Sequence, residues 1–177
     1  MPLTVLTGGA RSGKSRWAVR IATASAAPVT VVATAEALDS EMAERIARHR
    51  RERPGHWATI EEPFRLAPTL ASIEPGATVI VDCLTLWVSN LIGHRLSDDA
   101  IREHASAAAA VARQHRGLVV TVTNEVGSGV VPMTELGRRF ADLLGGVNRM
   151  WVEQADRAAL VVAGRLLWLP EVAEGTA

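Results

Sequence analysis

Residues 3–15 constrain this chain more than any other stretch. The apolar run Leu3-Thr4-Val5-Leu6-Thr7 leads into Gly8-Gly9-Ala10-Arg11-Ser12-Gly13-Lys14-Ser15. This fits the phosphate-binding pattern G-x-x-x-x-G-K-[ST], set between a β-branched strand and a helix-forming stretch from Arg16 to Ala24. Glycines allow successive backbone N–H groups to turn inward around phosphate oxygens, and the following helix adds the partial positive charge of its N-terminus. Lys14 is then the cation for the β- and γ-phosphates, and the Ser15 hydroxyl a ligand for Mg²⁺. Pattern, position and flanking elements agree, which sets the stretch apart from a glycine-rich turn that merely joins a strand to a helix.

Beyond this loop, strand-like and helix-like segments alternate. Val29–Thr34, Ala77–Asp82 and Leu118–Thr123 read as short buried strands, and a further short strand is expected within His56–Pro63. Helices are expected at Leu38–Arg53, with Asp39 or Ser40 as cap and Pro54-Gly55 as stop, and at Arg65–Ile73, Leu84–Ile92 and Ser97–Arg116. A last helix runs from Met133 to about Glu153, with Gly145-Gly146 expected as a break or kink. Ala158–Ala163 and Leu166–Leu169 form an expected edge hairpin about Gly164-Arg165. The alternation predicts an α/β fold with a mostly parallel, doubly wound sheet: one catalytic domain over residues 1–170, then a disordered tail at 171–177. With 177 residues, 48% of them apolar, such a domain buries a core without disulfides or a structural metal.

Charge narrows the functional classes. Nineteen basic and nineteen acidic residues cancel, so no global field draws the chain to nucleic acid or to an anionic membrane. Any anion must be bound locally. The single cysteine, Cys83, has no partner for an internal disulfide and reads as a buried, inert thiol. No stretch reaches about eighteen uninterrupted apolar residues, and no basic segment precedes an apolar leader core, so the expected location is cytoplasmic with no membrane span. No pair of His, Cys or carboxylate residues has zinc-ligand spacing.

In open parallel sheets ligands gather beyond the carboxyl ends of strands, which makes Thr34, Ala35 and Glu36 candidates to border the nucleotide. Asp82 closes its strand as a Walker-B aspartate does, a second ligand for Mg²⁺; the alternative is a cap for the helix at Leu84. On the helix Leu38–Arg53, the residues Leu38, Met42 and Ile46 form a stripe, and His49 falls on that stripe while Arg48 points away. A histidine on an apolar stripe more often packs than reacts, but neutral imidazole is nucleophilic near pH 7, so His49 is also a candidate nucleophile. His56, beside Trp57, is the second candidate; His94, His104 and His115 read as solvated surface. Arg45, Arg48, Arg50, Arg51 and Arg53 either solvate an exposed helix or clamp a triphosphate, Arg50 and Arg53 being the clamp candidates.

Several stretches together resemble one family: Thr7 through Ser15, Ile46 through Trp57, Thr59 through Glu61, Val81-Asp82-Cys83-Leu84-Thr85, and Thr123-Asn124-Glu125-Val126-Gly127-Ser128-Gly129-Val130-Val131-Pro132. They are similar to the bifunctional adenosylcobinamide kinase / adenosylcobinamide-phosphate guanylyltransferases of bacterial cobalamin synthesis, over about residues 3–169. The resemblance implies a RecA-like P-loop fold and two reactions. A nucleoside triphosphate, ATP or GTP, phosphorylates the aminopropanol hydroxyl of adenosylcobinamide, and GTP then donates GMP to that phosphate. It further implies a GMP-histidine intermediate at the position of His49, a nucleotide contact at Glu61, and a homotrimer. Asn148-Arg149 departs from the Asn-Gln of many relatives. Two other readings are a P-loop kinase for another small alcohol with His49 structural, and a nucleotide-binding regulator; nothing resembles the N-K-x-D motif that would favour the latter.

Overall fold

A computed structural model describes residues 3–170; the tail expected at 171–177 lies outside the described residues. Seven strands form one sheet: β1 (Leu3–Thr7), β2 (Val29–Ala33), β3 (Ala58–Glu61), β4 (Thr78–Asp82), β5 (Val119–Val122), β6 (Arg157–Val162) and β7 (Arg165–Trp168). Their order is β3-β2-β4-β5-β1-β6-β7. Every pairing is parallel except β6 with β7. The phosphate-binding strand β1 thus lies inside the sheet, between β5 and β6.

Side-chain alternation on the strands splits the core into two layers. Leu3 and Val5 of β1, with Val32, Val79, Val81 and Val119, face the larger layer; Leu6, with Val31, Ile80, Val120 and Ala159, faces the smaller one. The larger layer is closed by α3 (Leu66–Ser72), α4 (Leu84–Gly93), α5 (Asp98–Gln114) and α6 (Glu135–Gln154), whose Trp87, Ile101, Leu144 and Trp151 are almost wholly buried. Burying a side chain of this size contributes about 1.5–3 kcal/mol. The smaller layer is closed by α1 (Lys14–Thr23) through Ala18 and Ala22. By contrast α2 (Ser40–Arg51) has no buried residue. Its N-cap is Asp39, which accepts from the Met42 N–H at 2.7 Å, and Leu38, expected on its apolar stripe, lies before the helix and is exposed.

Two expectations change. The helix over 133–153 does not break at Gly145-Gly146; α6 runs unbroken through both. Leu143, Leu144, Val147 and Trp151 are buried on either side of the pair at helical spacing, and their burial outweighs about 1 kcal/mol of lost propensity per glycine. A Cβ at Gly145 would meet nothing within 4 Å. Gly145→Ala is therefore expected to stabilise the protein by about 0.5–1 kcal/mol, seen as a rise in the urea midpoint; a fall would mean that the glycine serves a contact outside the single chain. The hairpin turn, expected at Gly164-Arg165, is made by Ala163 and Gly164, with φ of 49° and 78°, a pair of positive values that suits the twist of a two-residue hairpin.

Candidate active site

At the carboxyl end of β1 the loop folds as its glycines require. Gly8 has φ 147°, and a Cβ there would lie 2.3 Å from the Val161 carbonyl oxygen of β6. Gly13, at φ 102°, is the N-cap of α1 and supplies no side-chain cap bond. The first N–H groups of α1 are thereby left for an anion. Lys14 is buried, and its Nζ donates to the Gly8 and Gly9 carbonyls at 2.8 and 2.7 Å. Burial lowers its pKa, with the Asp82 carboxylate acting in the opposite sense. The ammonium is held against the loop it would share with phosphate.

Asp82 ends β4, two strands from β1 at the same carboxyl edge of the sheet. Its Oδ2 accepts from Arg53 Nη2 at 2.7 Å and lies 3.7 Å from His49 Nδ1. Burial alone would raise its pKa, but His49 and the Arg53 guanidinium outweigh burial and hold the carboxyl below its usual range. Asp82 does not cap α4, whose N-cap position is Cys83. The end of α2 and the turn after it thus bring His49 and Arg53 onto one carboxylate. Helix phase carries His49 there, as its place on the inward stripe implies.

A cavity of ≈ 690 Å³ is lined by most of the sequence-selected residues: Ala10, Arg11, Ser12, Gly13, Lys14, Ser15, Ala35, His49, Arg50, Arg53, Glu61 and Asp82. A neighbouring cavity of ≈ 330 Å³, along α1, shares Ser15, His49, Arg53 and Asp82. Gly8 and Gly9 stand behind the wall as acceptors for Lys14. His56 is exposed and off both walls.

Thr34 and Glu36 do not line either cavity. Thr34 is wholly buried: its Oγ1 donates to the Cys83 carbonyl at 2.7 Å and accepts the Cys83 N–H at 2.8 Å, while its own carbonyl accepts from Asn90 at 2.7 Å. These bonds turn it inward to tie β2 to β4. Glu36 is half-buried off the wall, since one residue along a non-helical segment turns a side chain away from its neighbour's side. Cys83 is half-buried and lines the larger cavity, and burial pushes its thiol pKa up to about 11, which keeps it protonated and unreactive. His94 and His104 are exposed, as expected; His115 is not simply solvated, its Nε2 lying 2.8 Å from the Ala77 carbonyl.

Among the lining residues that were not selected from the sequence, two are tied to the site by hydrogen bonds from distant segments. Asn124 follows β5, with its N–H donating to Thr85 Oγ1 at 2.7 Å and its carbonyl accepting from Asn148 at 3.0 Å. A polar residue at a strand's carboxyl end was the available signal. It also gives Asn148 a role: Asn148 Oδ1 accepts from Thr123 at 2.6 Å, so α6 braces this loop, while Arg149 faces out toward Glu153. The second is Gly164, whose N–H donates to the Ser12 carbonyl at 2.8 Å and whose carbonyl accepts from Trp17 Nε1 at 2.9 Å. That contact joins residues some 150 apart and has no local signal.

The Ser15 hydroxyl and the Asp82 carboxylate are hard oxygen donors on one wall, which suits Mg²⁺ held jointly with phosphates. Among the described residues no group of three or more His, Cys, Asp or Glu side chains is arranged to hold a metal. No helix among them is long and apolar enough to cross a membrane.

A family model described as "Cobinamide kinase / cobinamide phosphate guanyltransferase" matches residues 4–169. The chain is 46% identical over 163 residues to the bifunctional adenosylcobalamin biosynthesis protein CobP of Pseudomonas aeruginosa, covering 90% of this chain and 92% of that protein. It is 37% identical to the bifunctional adenosylcobalamin biosynthesis protein CobU of Escherichia coli, covering 92% and 96%. Among solved structures, the RadB recombinase superposes with a TM-score of 0.50 at 15% identity, over 90% of this chain and 73% of that one. That likeness concerns the fold, a P-loop α/β sheet of the RecA kind.

Proposed function

This chain belongs to the cobinamide kinase / cobinamide phosphate guanyltransferase family of cobalamin biosynthesis, and from that premise we propose that His49 carries GMP between GTP and the phosphorylated acceptor. Both steps then use one nucleotide site. In the kinase step the aminopropanol hydroxyl oxygen of adenosylcobinamide attacks the γ-phosphorus, the bond to the β-phosphate oxygen breaks, the nucleoside diphosphate leaves and the hydroxyl proton passes to solvent. The loop amides and Lys14 stabilise the phosphate charge that develops. In the second step an imidazole nitrogen of His49 attacks the α-phosphorus of GTP and pyrophosphate leaves. The acceptor's phosphate oxygen then attacks the same phosphorus, the P–N bond breaks, and free His49 is restored beside adenosylcobinamide-GDP.

The observation that carries this reading is the placement of His49 Nδ1 3.7 Å from Asp82 Oδ2 on the cavity wall that holds the phosphate loop. A carboxylate on the Nδ1 side orients the ring and leaves Nε2 as the free nucleophile. Attack requires approach to roughly 3 Å in line with the leaving pyrophosphate. Helix α2, with no buried residue, can shift toward the phosphates at little cost in apolar burial. Arg50 and Arg53 clamp the triphosphate, and Glu61 contacts the guanine or ribose. Ser15 and Asp82 would hold the Mg²⁺ that accompanies the nucleotide, which would offset charge on the phosphate oxygens.

The proposed catalytic unit is the single domain over 1–170, acting in the cytoplasm as a homotrimer on the family's pattern. Sedimentation giving only monomer at micromolar concentration would remove the trimer. The chemistry is tested with GTP labelled at the α-phosphate: acid-labile, alkali-stable label on the protein is expected. A P-loop kinase for another alcohol, or a regulator, gives none.

A further inference from the structure

The cavity at the phosphate loop, at ≈ 690 Å³, is of the size that a nucleotide itself occupies. The acceptor of this family is larger: a corrin macrocycle ringed by carboxamide side chains, of which only the hydroxyl-bearing arm has to reach the γ-phosphate. The ring must therefore rest on surface outside the cavity but continuous with it. We propose that this surface is the loop from Gly127 to Met133, between β5 and α6, together with Leu136 on the first turn of α6. The proposal rests on the cobinamide reading above and assigns a place to its bulky substrate.

Position comes first. The loop leaves β5, the neighbour of β1, on the side where the phosphates are bound. Asn124 at its root lines the cavity, and the Glu125 N–H donates to the Gly8 carbonyl of the phosphate loop at 3.1 Å. A group lying on the loop is thereby adjacent to the reacting phosphate.

Its chemistry suits a neutral, largely apolar ring. From Val126 to Thr134 there is no charged residue, in a chain of which 21% is charged. Val130 is 95% exposed, Val131 72%, Met133 97% and Leu136 61%. Isolated exposed apolar residues are ordinary, but a contiguous patch marks a binding surface. The exposed backbone of Gly127, Ser128 and Gly129 offers N–H and C=O groups for peripheral carboxamides. Of the other exposed apolar side chains, Leu38 before α2 and Val162 at the end of β6 are not part of this run, and Leu167, Trp168 and Leu169 lie at the end of the edge hairpin, where the chain runs back toward the other end of the sheet.

The loop is also braced. Arg138 Nη1 donates to the Pro132 and Met133 carbonyls at 3.0 and 2.9 Å, and Thr134 Oγ1 accepts the Gly137 N–H at 3.1 Å. With its root fixed by Thr85 and Asn148, the loop presents its apolar tip on a support pinned at both ends. Pre-organisation of this kind reduces the ordering cost of binding.

The experiment compares wild type, Val130→Ser/Met133→Ser and Leu167→Ser. Adenosylcobinamide binding is followed by equilibrium dialysis through its corrin absorbance. The loop variant is expected to bind at least tenfold more weakly, with Leu167→Ser unchanged, the same sedimentation coefficient for all three, and protein labelling by GTP alone within twofold of wild type. Unchanged corrinoid binding by the loop variant overturns the proposal. So does an equal loss in Leu167→Ser, and so does a fall in sedimentation coefficient for the loop variant, which would make the loop a contact between copies of this chain. Labelling by GTP needs no corrinoid, so failure of the histidine chemistry and failure of this surface are read separately.

Discussion

Lys14→Ala is expected to lower phosphorylation of adenosylcobinamide by at least about a hundredfold, the scale on which a single transition-state charge donor acts. Nothing else on the wall can replace it. The ammonium sits beneath the loop, 2.8 and 2.7 Å from the Gly8 and Gly9 carbonyls, and phosphoryl transfer relies on positioning and charge stabilisation with little covalent help from the protein. Arg45, Arg48 and Arg50 of α2 and Arg53 after it carry the same charge and line the same cavity, but none of them donates to the loop carbonyls that hold Lys14. Steady-state kinase assays at saturating nucleotide check this; turnover within about tenfold of wild type would contradict the role given to the lysine. The variant should fold, because alanine there removes an ammonium whose burial is unfavourable.

Much of this was legible from the chain because it depends on local pattern. The phosphate loop is a contiguous signature, the strands are short β-branched runs, and His49 follows from helix phase once the helix is placed. What could not be read depended on contacts between distant segments. Thr34 and Ala35 are neighbours at a strand end and look equally available, yet bonds to Cys83 turn one inward and leave the other on the wall. Gly164 reads as a hairpin glycine and nothing more, although the turn folds back onto Ser12 and Trp17. The continuity of α6 through Gly145-Gly146 likewise reflects burial of Leu144 and Trp151, a tertiary effect that overrides local propensity. The pairing of Arg53 with Asp82 is of the same kind: sequence offers a run of arginines, and the fold selects one.

His49→Asn is expected to split the two activities. The kinase step has the substrate hydroxyl as its nucleophile, so phosphorylation of adenosylcobinamide should persist within about tenfold. Guanylyl transfer has no other histidine in the cavity lining to take its place, and it should fall below detection, as removal of a covalent nucleophile does. Asparagine keeps a polar group of similar reach beside Asp82, which limits disturbance of the Arg53 pair. Loss of both activities together would mean that His49 supports nucleotide binding or folding and is not the group that accepts GMP.

The most direct measurement is to locate the GMP itself. Protein labelled with GTP in the absence of corrinoid is digested at alkaline pH, where a phosphoramidate survives, and the modified peptide is sequenced by mass spectrometry. The account predicts a single guanylylated residue, His49. Modification at His56, at a lysine or hydroxyl side chain, or at no residue would contradict it.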